Sequence, residues 1–151
     1  MQIDTQNNIG KIGGNPHRFP MVLVDRVIEV GREIIAEKFV SLNDYEFRYV
    51  DFKNRKEFIY PDWLVVESFF QSAGFFIHCA ERNLSPYVIS CKNVQFRREI
   101  VAGEIIRHHV FLDVQKESFI IVSGESKVGE EVVVSYQQVW LGFHRRETQH
   151  G

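Results

Sequence analysis

Glu67 and Gln71 are the two residues whose type and spacing are most suited to chemistry. They stand one helical turn apart in Trp63-Leu-Val-Val-Glu67-Ser-Phe-Phe-Gln71-Ser-Ala-Gly-Phe-Phe-Ile77, a run that is otherwise almost wholly apolar. A carboxylate buried in such a run either costs several kcal/mol or has its pKa raised until it carries a proton. A group held in that state is suited to general acid or base work, so Glu67 is the candidate catalytic residue. Gln71, four residues on, lies on the same helical face and is its expected hydrogen-bond support. The competing account is structural: a carboxylate paired with Arg97 or Arg98, and a glutamine touching a second subunit.

The elements that must position this pair follow from local pattern. Pro61-Asp62 opens the helix, because proline in the first turn lacks only an orphan donor and an early aspartate suits the positive end of the helix dipole. Leu84-Ser85-Pro86 is expected to end it, near Arg82 or Asn83. Upstream, Met21–Val30 and Glu33–Val40 read as two strands joined by a turn at Gly31-Arg32, a hairpin. Residues 43–60, crowded with charge and aromatic rings, show no clean period and read as a long, partly ordered loop. After Pro86 the pattern is strand: 87–91, 94–98, 105–112, 119–124 and 132–140, with turns at Ala102-Gly103 and Gly129-Glu130. A helix apolar nearly all round must be covered on most sides, most simply by a sheet curling about it. The expected class is therefore α+β, an antiparallel β-sheet wrapped around one long central helix. Residues 16–143 form its single domain, 1–15 a flexible leader and 144–151 a charged tail. The small residues Ser68, Ser72 and Gly74 leave a face for a second subunit.

Composition excludes several classes. The 18 basic and 20 acidic residues give a formal net charge of -2, which argues against electrostatic binding of nucleic acid or an anionic membrane. Glu67, Gln71 and His78 interrupt the longest apolar run, so it is a core helix and not a membrane span. Cys79 and Cys91 have no metal spacing and read as buried small hydrophobes in a reducing, cytoplasmic setting. Thirteen phenylalanines point to a bulky core or an apolar slot. Phe69, Phe70, Phe75 and Phe76 offer such a lining.

Three blocks of the chain, in order, resemble a known family. They are Pro16-His-Arg-Phe-Pro-Met-Val-Leu-Val-Asp-Arg-Val27, Pro61-Asp-Trp-Leu-Val-Val-Glu67-Ser-Phe-Phe-Gln71-Ser-Ala-Gly74, and Val94-Gln-Phe-Arg-Arg-Glu-Ile-Val-Ala-Gly103-Glu104. They are similar to the N-terminal signature, active-site helix and following strand of the hotdog-fold 3-hydroxyacyl-[acyl-carrier-protein] dehydratases, the FabZ/FabA-like proteins. Gly129-Glu-Glu-Val-Val-Val resembles that family's late hairpin. The resemblance implies that Glu67 handles the departing hydroxyl with Gln71 in support. It implies a histidine from the other subunit as base, and a glycine amide at the helix N-terminus polarising the thioester carbonyl. It further implies an acyl carrier protein as partner, with the substrate carried on its phosphopantetheine or on coenzyme A, no cofactor and no metal. The assembly expected is a homodimer, a heterodimer with a related hotdog chain, or a higher oligomer.

The chain departs from that pattern twice. No histidine lies between His17 and His78, and the position of the family's base holds Lys53, or Asp51-Phe52 after a two-residue shift. The helix-opening glycine is Asp62, an anion that would oppose an oxyanion unless its side chain turns away. Asp51 is the expected stand-in base, provided desolvation raises its pKa. Asp62, Phe52, Trp63 and Phe70 are the expected substrate contacts, and Arg97 and Arg98 the groups that meet an acidic carrier or its phosphate. His17, bracketed by prolines, reads as a turn-fixing residue and not a base; His78 reads as a core or edge histidine. His108 and His109 alternate faces, so at most one points inward. The function expected is dehydration of a carrier-bound 3-hydroxyacyl thioester in fatty-acid or polyketide-type synthesis. The alternatives are a non-catalytic or half-site subunit of a heterodimeric dehydratase, and a hotdog acyl thioesterase.

Overall fold

Ile34 and Ala36 alternate onto the core-facing side of β2 (Glu33–Phe39), and in β1 (Arg26–Val30) a register shift between Val27 and Glu29 buries Val27 and Val30, three residues apart; the two strands pair antiparallel across Gly31-Arg32 as the expected hairpin. The structure is a computed structural model and describes residues 16–146 apart from Arg82. The expected leader over 1–15, the tail from residue 147 with His150, and a helix end at Arg82 lie outside the described residues. After the hairpin come β3 (Ile59–Tyr60), the helix α1 (Asp62–Ala80), β4 (Leu84–Phe96), β5 (Ile100–Val101), β6 (Ile105–Gln115), β7 (Phe119–Val128) and β8 (Glu131–Arg145). Six strands form one antiparallel sheet in the order β1-β2-β6-β7-β8-β4, and β3 pairs with β5 apart from it. This is the α+β hotdog arrangement, with the sheet packed about α1.

The helix is held by matched surfaces. Leu64, Val65, Phe69, Ala73 and Ile77 are buried, and the Phe69 ring stacks on Tyr136 of β8 with centroids 3.7 Å apart. Gly124 of β7 makes room for that ring: a Cβ there would lie 2.1 Å from the His109 carbonyl oxygen and 2.9 Å from Phe69. A chain of polar groups crosses the same interface. Ser68 Oγ donates to the Leu23 carbonyl (2.5 Å) and meets His108 Nε2 at 2.8 Å; His108 Nδ1 meets Ser126 Oγ at 2.7 Å, and Ser126 meets the Tyr136 hydroxyl at 2.9 Å. Ser68, His108 and Ser126 are fully buried, so their mutual bonding is what makes burial tolerable. At the other end of the sheet, buried Glu37 accepts from Arg107 Nε (2.9 Å) and Arg26 Nε (2.9 Å) and joins β1, β2 and β6. Burial pushes its carboxyl up, but the two guanidiniums outweigh that and hold it below the ordinary carboxylate range.

Several boundaries differ from the expected ones. The strand expected at Met21 starts at Arg26, because side chains of α1, not a neighbouring strand, bind the backbone of 21–23. The helix stops at Ala80, and Glu81 closes it with an N–H to the Ile77 carbonyl at 3.0 Å. The strands expected at 87–91 and 94–98 are one continuous β4, bent at register shifts, with Asn93 in the left-handed region (φ 53°). Pro86 lies inside β4, where an edge strand tolerates the missing donor. The loop expected over 43–60 holds two 3-10 turns, Tyr45–Phe47 and Arg55–Phe58, and β3. Lys38, 5% exposed, pins its start by donating to Asp44 (3.0 Å) and the Phe39 carbonyl (2.7 Å). Asn54 and Glu57 form a capping box on the second turn.

Candidate active site

Gln71 ties the N-terminal segment to the helix. Its Oε1 accepts from the Leu23 N–H at 3.0 Å and its Nε2 donates to the Met21 carbonyl at 2.9 Å, while Ser68 holds the Leu23 carbonyl. The backbone of 21–23 is thereby fastened along α1, and the chain just before it turns back through a Met21 N–H to Arg18 carbonyl bond of 2.8 Å. That turn brings His17 over the helix. His17 Nε2 lies 3.3 Å from Glu67 Oε1, and Gln71 Nε2 donates to the same oxygen at 3.1 Å.

Glu67 was expected to be buried, yet its side chain is 29% exposed. It is a wall residue between two cavities and not an interior one, because the sheet covers the Ser68 and Phe69 side of the helix and leaves the Glu67 side to the loop. One cavity, of about 310 Å³, is lined by Pro16, His17, Gln71, Gly74, His78 and Tyr87 among others. Gly74 keeps it open: a Cβ there would stand 3.3 Å from Pro86 Cγ. The other cavity, of about 540 Å³, has Met21, Asp62, Trp63, Val66, Phe70 and Phe96 in its wall. Glu67 and Phe70 border both. A carboxylate with one fixed oxygen, a histidine within reach and an apolar annex can move protons on a substrate that reaches across both spaces.

The remaining expected residues divide. Asp62, Trp63 and Phe70 share the second cavity with Glu67. Asp62 opens α1, and desolvation there, followed by the charge of Glu99, pushes its carboxyl up from the usual range. Asp51 is not brought to the site within this chain: its side chain is 74% exposed and rests 3.4 Å from Lys53 Nζ. Phe52 lines neither cavity and packs in an aromatic cluster with Phe47 and Phe58, at centroid distances of 6.1 and 5.0 Å. Arg98 is engaged internally, with a two-pronged pair to Glu104 (3.0 Å each) and a bond to Glu131 (2.9 Å). It therefore neither holds Glu67 nor faces outward to a phosphate. Arg97 is exposed beside Phe96.

Sequence reasoning missed His17, which it assigned to fixing a turn. The available signal was the backbone role of Gln71 and Ser68: a polar pair on an apolar helix has to bind something, and here it binds the extended segment that follows His17. His78 is buried on the first cavity, where burial lowers its imidazole to about 4. His108 points inward and His109 reaches Glu33 at 3.7 Å, so the alternation of faces holds. Among the described residues, no group of three or more His, Cys, Asp or Glu side chains is arranged to hold a metal ion. No helix among them is long and apolar enough to cross a membrane.

With this geometry in hand, comparison with known proteins is decisive about kinship. The family model described as a FabA-like domain matches residues 15–137. The chain belongs to the FabA-like family. Within it, the chain is 32% identical over 130 residues to the 3-hydroxyacyl-[acyl-carrier-protein] dehydratase FabZ of Helicobacter pylori strain G27, covering 78% of this chain and 79% of that protein. It is 28% identical over 130 residues to the FabZ of Clostridium tetani, covering 83% and 89%. Among solved structures, one chain of the dehydratase heterocomplex ApeI:P from Xenorhabdus doucetiae superposes with a TM-score of 0.72 at 21% identity, covering 88% of this chain and 90% of that one. The protein is a dehydratase-like hotdog member of the FabA-like family.

Proposed function

We propose that this protein eliminates water from a 3-hydroxyacyl thioester carried on the phosphopantetheine arm of an acyl carrier protein, with Glu67 as the acid that takes the departing hydroxyl. The observation that carries this reading is the setting of Glu67 in a FabA-like chain. Its Oε1 is fixed by Gln71 at 3.1 Å, and the carboxyl stands at the junction of two cavities large enough for a thioester and the start of its acyl chain. The names of the FabZ relatives supply the substrate class. Trp63, Val66, Phe70 and Phe96 suit the acyl chain, and the N-terminus of α1 behind Asp62 suits the thioester carbonyl, where a helix dipole favours developing negative charge. Exposed Arg97 is the group proposed to meet an acidic carrier.

Pairing with a second hotdog chain, identical or related, is part of the proposal. β4 is a sheet edge of thirteen residues with Tyr87, Val88, Ile89 and Phe96 exposed along it, a surface that stable proteins cover. The similarity to a chain of a dehydratase heterocomplex supports assembly of this kind. The test is direct. Purified protein given a 3-hydroxyacyl-carrier thioester, with the coenzyme A thioester alongside, should produce the enoyl thioester, and Glu67→Gln should abolish this while folding normally. Absence of enoyl product with every thioester offered, or full activity in the variant, overturns the reading; release of free thiol is not expected.

A further inference from the structure

The two cavities that meet at Glu67 differ in chemistry. The one at the start of α1 is walled by Met21, Trp63, Val66, Phe70 and Phe96, apolar groups joined only by Asp62 and Glu67. The one beyond Glu67 has hydrogen-bonding side chains in its wall: His17, Gln71, His78 and Tyr87. We infer that this second cavity takes the far part of the acyl chain, and that His78 selects chains bearing a hydroxyl group there over plain alkyl chains. The inference rests on the dehydration reading above and extends it to the class of acyl chain.

The direction of the chain follows from α1. With the thioester carbonyl at the helix N-terminus and the C3 hydroxyl at Glu67, the bonds from C1 to C3 run with the helix. Beyond C3 the same course leads past Gln71 and Gly74 to His78, roughly 16 Å from Glu67 at about 1.5 Å per residue. Spacings of four, three and four put these residues on one face of the helix, and all of them line the cavity. Gly74 keeps the middle of the path open. Among the described residues outside its own helix, a Cβ there would meet only Pro86, at 3.3 and 3.9 Å.

His78 is 6% exposed, bonds the Leu84 backbone and meets the Phe75 ring edge-on, with centroids 6.2 Å apart. An imidazole has two nitrogens, so the bond to Leu84 leaves the other. A methyl-ended chain packed against that nitrogen would strip it of water and return nothing, whereas a hydroxyl would take the place of the water. Burial lowers the imidazole to about 4, so at neutral pH it is uncharged and suits a hydroxyl better than a carboxylate.

The test compares 3-hydroxyacyl-carrier thioesters of increasing length, each made with a terminal methyl, hydroxyl or carboxyl group, on the purified protein in its native oligomer. For chains long enough to reach His78, kcat/KM should favour the hydroxyl-ended member over the methyl-ended one roughly tenfold to a hundredfold, with no such preference in the shortest pair. His78→Leu should bring that ratio to one or below. His78→Gln, which keeps a hydrogen-bonding end, should retain part of it. Equal or better use of methyl-ended chains by the wild type at every length overturns the inference and leaves the dehydration reading standing. So does a hydroxyl preference that is the same at every length, a stronger preference for carboxyl-ended chains, or a folded His78→Leu protein that keeps the hydroxyl preference. The wild-type length series needs no variant, so it decides the matter even if both substitutions prevent folding. Inactivity toward every thioester offered would instead sink the dehydration reading, and this inference with it.

Discussion

Glu67 and Ser68 are consecutive on α1, and each meets a histidine, but the two encounters serve opposite ends. Ser68 points into the sheet and bonds His108, which is fully buried and saturated by Ser68 and Ser126; burial lowers its imidazole to about 3. Glu67 points about 100° around the helix, where His17 lies 3.3 Å away on a cavity wall. A histidine that is sealed and has both nitrogens bonded is a neutral strut. One that stands on a cavity wall beside a carboxylate is within reach of a visitor. The difference comes from what covers each side of the helix, since the residue type is the same.

Substitutions on the two sides should therefore fail in different ways. The largest effect is expected from Glu67→Gln, a loss of roughly 10²–10⁴-fold in dehydration rate with an unchanged urea midpoint. An equal loss of stability would erase the distinction. His108→Ala should do the reverse. It takes one partner each from the buried hydroxyls of Ser68 and Ser126, which keep Leu23 and Tyr136, and leaves a cavity, so unfolding free energy should fall by roughly 2 kcal/mol or more while the folded fraction still turns over. Loss of turnover in the folded variant would move His108 into the site.

Acid sharpens the same contrast. His108 carries its proton in the unfolded chain below the ordinary value of 6.5 but in the folded chain only near 3, so the unfolded state binds more protons in that window. Stability should accordingly fall as pH drops below 6.5, by about 1.4 kcal/mol per unit for such a group, with His78 adding in the same direction down to about 4. The depressed carboxyl of Glu37 contributes stability that is present above the unfolded carboxylate value and lost as pH falls through the folded one. Denaturant midpoints between pH 7.5 and 5, taken on wild type and His108→Phe, would show the slope and its flattening. The smallest effect is expected from Gln71→Leu, which removes the ties to Met21 and Leu23. It should cost about 1–2 kcal/mol and slow the reaction roughly tenfold to a hundredfold through misplacement of Glu67. A rate unchanged beside that loss of stability would show that Gln71 supports the fold only.

Much of the fold was legible because its signals are local. The β1–β2 hairpin, the long helix behind Pro61 and the late strands each announce themselves within a short window of alternation or of continuous apolarity. The errors at β4 and at the start of β1 have a common source. Pro86 breaks a helix or a central strand but not an edge strand, and the segment 21–23 has strand composition but is bound by helix side chains. Neither fact is visible until strand order is known.

The sequence by itself determined that a carboxylate and a glutamine would share one face of a greasy helix, because a helical turn spans four residues whatever surrounds it. Tertiary structure alone decided what they meet. Arg98 turned to Glu104 and Glu131, Lys38 to Asp44, and Asp51 to Lys53 at the surface. His17, which read as a fixture of a proline turn, came to rest on Glu67. Pairings of residues far apart in the chain depend on register and on which backbone the helix side chains capture, and no periodicity in a short window carries that information.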